Sequence, residues 1–531
     1  MGDPANLLTA RTGHHVGVQL RRHPGRARWA SAALAAIATT AVLASCSSSS
    51  PSPGTPPPPA HPDPRPNIVF VLTDDVSLNL IPYMPHVAAM EQEGSTFTNH
   101  FVVDSLCCPS RSAIFTGQYP HNNGVFTNGG ADGGYSAFNR NGDAWKSFAL
   151  SLQRAGYRTG LMGKYLNEYL PKHDPPAPGW DVWDVGGYAY PEYDYDLNEN
   201  GTIVPYGHDP SDYLTDVLSH KATDFIDSSA QEGKAFALEI ATFAAHRPFT
   251  PGPQDEHSFP SLTAPRTPAF GVKPTAPPNW LADLPPLDLK SIQHIDQAFR
   301  LRVEDMQAVD RMIGQLQHEL IAKGLAQNTY FVFTSDNGYH MGEYGLRPGK
   351  QTAFDTDIKV PLVITGPDVP AGAKVDAFTS SIDFAPTFEQ IAGVSPPENI
   401  DGVSMLPLWH GRPPPADWQR GILVEHHGPD FLPNDPDRQS APAGNPPSYE
   451  AVRTANAVYV EYDNGDREYY NVADDPYELH NLAATASPAT LAPLQTMLHA
   501  LETCQGAASC QAAAQRTPTG GGSIRTGGLS R

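Results

Sequence analysis

The sequence predicts an α/β fold: a large, mostly parallel sheet sandwiched by helices, with a smaller antiparallel subdomain at the C-terminal end. Three observations predict it. Several uninterrupted apolar runs of strand length end on polar or charged residues, the pattern of strands covered on both faces. A long amphipathic segment, residues 291–323, lies just before one of these runs, where a crossover helix belongs. From about Gly421 the runs become short strands, two of them joined by a tight turn.

The 531 residues suffice for a large core and for two or more domains. Hydrophobic residues make up 40% and charged residues only 17%, so most of the chain is expected to be globular. The 54 Pro and 45 Gly call for many loops. A net charge of -22 argues against a nucleic-acid partner.

The N-terminal region reads as a targeting segment. Arg21, Arg22, Arg26 and Arg28 precede a small, apolar stretch, residues 29–44, that is short for a membrane-spanning helix. It ends in Leu43-Ala44-Ser45-Cys46, which resembles a bacterial lipobox. In lipoproteins of that kind the cysteine becomes the lipidated first residue. The expectation is therefore a signal peptide over residues 1–45 and an exported, cell-envelope lipoprotein anchored to the membrane through Cys46. A simple signal peptide and a short anchor helix are the alternatives. Residues 46–66, rich in Ser and then Pro, read as an extended tether. Of the other cysteines, Cys504 and Cys510 are close enough for a small disulfide loop in an exported chain, which leaves Cys107 and Cys108.

The folded part is expected from Asn67. The run Asn67 to Thr73 ends in Asp74 and Asp75, and the run Thr329 to Ser335 ends in Asp336 and Asn337. In open α/β sheets ligands bind beyond the carboxyl ends of the strands. Two such ends brought together by a parallel sheet place three carboxylates and an amide in one spot. Uncompensated, the charges would be costly, and a hard divalent cation such as Ca²⁺ resolves this. Taken alone, an Asp-Asp pair after a strand serves as a turn or a helix cap. No His or Cys cluster has zinc spacing. Three further runs lead into functional-looking side chains: Tyr157 to Met162 into Lys164, Phe236 to Phe243 into His246, and Lys359 to Ile364 after Lys350.

In residues 291–323, Met306, Val309, Ile313, Leu316 and Leu320 line one face, Gly324 is a stop, and the helix is assigned to packing. Tyr188, Tyr190, Tyr193 and Tyr195 read as a surface hairpin or as a sugar-facing wall. Residues 251–286, rich in Pro, read as an irregular loop near the site. The strands expected beyond Gly421 are Ile422 to Glu425, Ala451 to Thr454, Ala457 to Tyr462 and Glu468 to Asn471. Asp463-Asn464-Gly465-Asp466 is a hairpin turn. The domain boundaries that follow are 67–420, 421–511 and a disordered tail over 512–531.

The stretch from Leu106 to Gly117 contains Cys107-Cys108-Pro109-Ser110-Arg111 followed by Thr116-Gly117. On its own this places two small buried cysteines at a helix start. The pattern also resembles the sulfatase signature, in which the first cysteine is oxidised to formylglycine. Further matching stretches are Gly163 to Tyr169, Asp212 to Leu218, Thr334 to His340, Phe354 to Leu362, and Tyr470-Asn471-Val472 with Asp475-Pro476. They make the chain similar to the formylglycine-dependent sulfatases of the alkaline-phosphatase-like superfamily, and to N-acetylglucosamine-6-sulfatases in particular. The resemblance implies a sulfuric ester hydrolase acting on a sulfated sugar or small molecule, matured by a formylglycine-generating enzyme. It implies Asp74, Asp75, Asp336, Asn337 and modified Cys107 as ligands of one Ca²⁺, Arg111 beside the nucleophile, and Lys164, His246 and Lys350 around the sulfate. One departure stands out: many arylsulfatases carry a His where this chain has Leu166, and Asn167 is the residue that could partly substitute.

That chemistry is coherent. A thiolate is a soft, poor ligand for Ca²⁺, whereas a hydrated aldehyde offers two hard oxygens. The alternatives are a phosphonate monoester hydrolase or phosphodiesterase on the same scaffold, and a non-catalytic surface lipoprotein in which Cys107 stays a thiol.

Overall fold

The computed structural model describes residues 63–432 and 435–515. The signal-peptide and lipidation expectations, Cys46 included, lie outside the described residues. No helix among the described residues is long and apolar enough to cross a membrane.

The strands are β1 (Asn67–Thr73), β2 (Ser95–Phe97), β3 (His100–Phe101), β4 (Arg158–Lys164), β5 (Val182–Gly186), β6 (Asp196–Glu199), β7 (Thr202–Pro205), β8 (Phe236–Ala241), β9 (Thr329–Ser335), β10 (Leu362–Thr365), β11 (Ala373–Val375), β12 (Thr379–Ser380), β13 (Gly421–His426), β14 (Tyr449–Thr454), β15 (Ala457–Tyr462) and β16 (Arg467–Asn471). The large sheet has ten strands in the order β11-β2-β10-β9-β1-β8-β4-β5-β6-β7. Its centre, β9-β1-β8-β4-β5, is parallel throughout. The flanks are mixed: β10 runs antiparallel to β9, and β6 and β7 form a hairpin beside β5. The run from Lys359 to Ile364 is therefore not one more parallel strand, and Lys350 reaches the site from a loop.

The uninterrupted apolar runs have a simple cause. Along β1, Val69 and Val71 join one hydrophobic cluster while Ile68, Phe70 and Leu72 join another on the opposite face. Successive side chains point to opposite faces of a strand, and here helices cover both. Each fully buried Val, Leu, Ile or Phe contributes about 1.5–3 kcal/mol. One face is covered by the helices Leu214–Glu232 and Leu289–Ala322; the other by Cys107–Thr116, Phe148–Arg154 and Phe384–Ile391.

The helix Leu289–Ala322 matches the expected segment within two residues. Asp288 caps it by accepting from Ser291 N at 2.7 Å, and Gly324, just past its end, has φ +70°. All five apolar residues read as one face are at most 3% exposed. Packing is not its whole role, however. Its buried Arg302 donates to the carbonyl of Asp75 and lies 4.3 Å from the Tyr339 ring.

The antiparallel sheet β13-β14-β15-β16 forms as expected, with the Asp463–Asp466 turn between its last two strands. It is not an independent body. Val424, Val452 and Tyr470 share a hydrophobic cluster with Phe101, Tyr119 and Phe354. Cys504 and Cys510 are disulfide-bonded.

Two expected boundaries move. Residues 63–66 belong to the fold: Asp63 N donates to Gly233 O at 3.0 Å and Arg65 Nη1 to Ala155 O at 2.6 Å. At the other end the helix Ala507–Ala514 passes the expected limit at 511. The tyrosine segment is neither a hairpin nor a continuous wall. Tyr190 and Tyr195 are buried, Tyr188 is 51% exposed, and the hairpin is β6-β7, immediately after them. Residues 251–286 are irregular apart from the short helix Asn279–Ala282.

Candidate active site

The parallel strands end together along one edge of the sheet. Thr73 lies opposite Ser335, and Ala241 opposite both Leu72 and Gly163. The next residues along, Asp74, Asp336 and Lys164, are thus brought into one place by register, and His246 follows five residues after the end of β8. Gly163 permits this approach. Its φ is +99°, and a Cβ there would lie 2.0 Å from Ala241 O.

The helix Cys107–Thr116 stands over these ends with all ten residues buried and closes at Gly117, φ +66°. Cys107 opens it. Arg111, four residues on, falls on the same face one turn below. Cys107 Sγ lies 3.1 Å from Asp74 Oδ1 and 2.8 Å from Lys350 Nζ. Arg111 Nε donates to Asp336 Oδ2 at 2.8 Å and its Nη1 to Lys164 O at 3.2 Å. Lys164 Nζ donates to Asp74 Oδ2 at 2.5 Å, and Lys350 Nζ to Asp75 Oδ1 at 2.6 Å. Lys350 belongs to a loop pinned where His340 bridges Gly349, with His340 Nδ1 3.0 Å from Asp357.

Asp75 has φ +64°, the left-handed region that an Asp tolerates better than most residues. It is held there from several sides. Its N donates to Asp336 Oδ1 at 3.2 Å, its carboxylate accepts from Asn337 Nδ2 at 2.7 Å, and Arg302 holds its carbonyl.

The site also contains a residue that the sequence reading missed. Asp437, in the loop between β13 and β14, is 1% exposed. Its Oδ1 accepts from His246 Nε2 at 2.5 Å and from Lys350 Nζ at 2.8 Å. Its Oδ2 accepts from Asn128 Nδ2 at 2.7 Å and from Asn167 Nδ2 at 3.2 Å. Nothing in the pattern around Asn434-Asp435-Pro436-Asp437-Arg438 marks it, because a loop acid carries no periodic signal. Leu166 packs into the hydrophobic core, as a leucine should. Asn167 reaches the site edge, but its partners are Asp437 and Tyr190 OH, not Cys107.

Four buried carboxylates (Asp74, Asp75, Asp336, Asp437) thus face three fixed cations (Arg111, Lys164, Lys350) and His246. Both His246 nitrogens face acceptors, Nδ1 lying 2.7 Å from Arg247 O. Burial opposes the charged imidazolium, but Asp437 and Asp74 outweigh it and hold His246 above its ordinary range. Burial likewise raises Asp437, and Lys350 and His246 more than reverse this, leaving it well below the carboxylate range. Asp336 is also lowered: Arg111, Lys164 and Lys350 overcome its burial. Burial, then Asp336, Asp437 and Asp74, push the Cys107 thiol up, so as a cysteine it is a poor nucleophile.

The donor set fits a hard cation. Ligand atoms of Asp74, Asp75, Cys107 and Asp336 lie within 4.8 Å of one another. Asn337 Oδ1 is buried without a hydrogen-bond partner among the described residues, an oxygen of the kind Ca²⁺ takes. Asp75, His246 and Asp437 form a second tight group, in which Lys350 Nζ bridges the two carboxylates just as it bridges Asp75 and Cys107 in the first.

A family model described as Sulfatase matches residues 66–394. The chain belongs to the sulfatase family. A second model, N-sulphoglucosamine sulphohydrolase, C-terminal, matches residues 342–504 of this sulfatase. The human N-acetylglucosamine-6-sulfatase is 34% identical over 481 residues, covering 83% of this chain and 85% of that protein. Among solved structures, one in complex with its substrate D-glucosamine-2-N,6-O-disulfate superposes with a TM-score of 0.69 at 24% identity, covering 82% of this chain and 97% of the other. A phosphonate monoester hydrolase from Silicibacter pomeroyi superposes with a TM-score of 0.62 at 22% identity, covering 81% and 93%. At those identities the two structures speak for the fold alone. The family membership makes this protein a sulfuric ester hydrolase.

Proposed function

We propose that this sulfatase cleaves the 6-sulfate of an N-acetylglucosamine-type sugar, or an aryl sulfate, at Cys107 after its conversion to formylglycine, with one Ca²⁺ held by Asp74, Asp75, Asp336 and Asn337. The observation that carries the reading is the position of Cys107. It opens a buried helix within 3.1 Å of Asp74 and 2.8 Å of Lys350, where an oxygen in place of the sulfur is a hard ligand and a nucleophile. Bound there, Ca²⁺ supplies Lewis acidity and makes such an oxygen easier to deprotonate. Lys164, Lys350 and Arg111 offset negative charge on the sulfuryl group as it transfers. His246, whose charged form Asp437 and Asp74 favour against its burial, would carry the proton that the leaving alcohol needs. For the sulfate to reach Lys350 and His246, Asp437 must yield its place to it.

Maturation would then need a formylglycine-generating enzyme, and the N-terminal pattern supports export and anchoring through Cys46. Two measurements test the reading together: the mass of the Cys107 peptide, and sulfate release from N-acetylglucosamine 6-sulfate and 4-nitrophenyl sulfate. An aldehyde or its hydrate with sulfate release is expected; full activity with an unmodified thiol overturns it.

A further inference from the structure

A cavity of about 330 Å³ is lined by Leu78, Thr267, Tyr339, Thr356, Tyr477 and Glu478 among others. That volume lies within the roughly 300–1,000 Å³ range of small-molecule sites. Neither Asp437 nor any of the cations around Cys107 lines it. Ser77 and Tyr339 do, and they come two residues after Asp75 and Asn337, so the cavity lies next to the site and outside the cation cradle.

The lining joins an apolar mouth to unmet polar atoms. Leu78 is 46% and Tyr477 42% exposed. Thr267 Oγ1, Thr356 Oγ1 and Glu478 Oε1 are buried without a hydrogen-bond partner among the described residues. Glu478 is 1% exposed, and its Oε2 accepts from Tyr344 OH at 2.9 Å and from Asp355 N at 3.0 Å, which fixes the carboxyl group and leaves Oε1 over. Charge of neither sign dominates. Asp355 pairs with Arg453 at 2.7 Å, and Lys359 shares the lining with Glu343 and Glu478. A wholly apolar ligand would leave three buried polar atoms unsatisfied. A sulfate would meet the two glutamates, and an ammonium would meet Lys359. A neutral sugar ring suits both features. Its hydroxyls donate and accept, so they meet threonine hydroxyls and a carboxyl oxygen in either protonation state, and its C–H face packs on an aromatic ring.

We propose that this cavity holds an uncharged sugar unit of a glycan substrate, apart from the unit whose sulfate ester is cleaved. The proposal deepens the reading above, on which it rests for the chemistry: the substrate becomes an oligosaccharide, with one unit at the cation cradle and another against Tyr477.

The test has a binding arm and a kinetic arm. Binding of the unsulfated N-acetylglucosamine trimer to the full-length protein is measured by calorimetry for the wild type, Tyr477→Ala and Thr267→Val. Saturable binding is expected, weakened about tenfold in each variant. In the kinetic arm, kcat/KM is measured on the mature enzyme for the 6-sulfated trimer and for 4-nitrophenyl sulfate, which is too short to reach the cavity. The ratio of trimer to aryl sulfate should fall about tenfold in Tyr477→Ala; because the readout is a ratio, general loss of folded enzyme cancels. Absent trimer binding, equal binding in wild type and variants, or an unchanged ratio overturns the proposal, even where aryl sulfate turnover upholds the sulfatase chemistry. Failure of the wild type to hydrolyse any sulfate ester overturns the chemistry and leaves the calorimetric comparison to decide the sugar site.

Discussion

His246 Nε2 lies 2.5 Å from Asp437 Oδ1, and each side chain is 1% exposed. The same oxygen accepts from Lys350, so one carboxylate occupies two of the cations assigned to the sulfate. On the proposed reading it is an anion in an anion cradle, for which substrate and Asp437 compete, while Asp437 favours the charged form of His246.

Asp437→Asn should separate these effects. Without the negative charge, KM for 4-nitrophenyl sulfate is expected to fall about tenfold, the size of one charge-assisted contact. The pH profile should move as well. His246 is held above its ordinary range, so a step that needs its proton fails as pH rises through that raised value. In the variant that alkaline limb should shift to lower pH. A higher KM, with the limb unmoved, would show that Asp437 assists substrate binding and does not rival it.

Cys107→Ala is expected to abolish turnover and keep the fold, since the methyl group fits a site now filled by Cβ and sulfur. Cys108→Ala should be far milder. Cys108 contributes its backbone N to Asn128 Oδ1 at 3.0 Å, and that bond survives truncation of the side chain. Equal losses of kcat in the two variants would put the nucleophile assignment wrong.

Asp336→Ala removes the partner of a fully buried Arg111. An unpaired buried charge costs about 3–5 kcal/mol, so a clear drop in Tm is expected along with weaker Ca²⁺ binding and lost activity. Exhaustive chelation of the wild type should abolish activity reversibly; full activity after chelation would sink the calcium assignment.

Gly163→Ala tests the backbone approach that brings Lys164 beside Asp74. The added Cβ would meet Ala241 O at 2.0 Å, in a conformation that alanine rarely adopts. A destabilisation of about 1–3 kcal/mol in urea unfolding is expected from the backbone strain alone, with activity reduced further as Lys164 moves. Wild-type stability in this variant would mean that β4 and β8 can part without cost.

Much of this molecule was legible in the order of its residues. The uninterrupted apolar runs of β1, β8 and β9 announce strands buried on both faces; Asp74, Asp75 and Asp336 follow such runs directly, Lys164 closes β4, and His246 comes five residues after β8 ends. Cys107, Pro109, Ser110 and Arg111 lie within about one helical turn, so a local pattern contains both the proposed nucleophile position and the cation beneath it. These signals are local, and local geometry follows from local sequence. Asp437 had no such signal. Its partners His246 and Asn128 are 191 and 309 positions away, and only the packing of the β13-β14 loop over the sheet edge brings them together. Arg302 was hidden for a related reason: on a long amphipathic helix one buried arginine reads as an interruption of the apolar face until the carbonyl it binds is in view. The sequence by itself thus determined the scaffold and the residues at its strand ends. The tertiary structure alone decided which loop acid meets His246 and Lys350, because those contacts join segments that no periodicity connects.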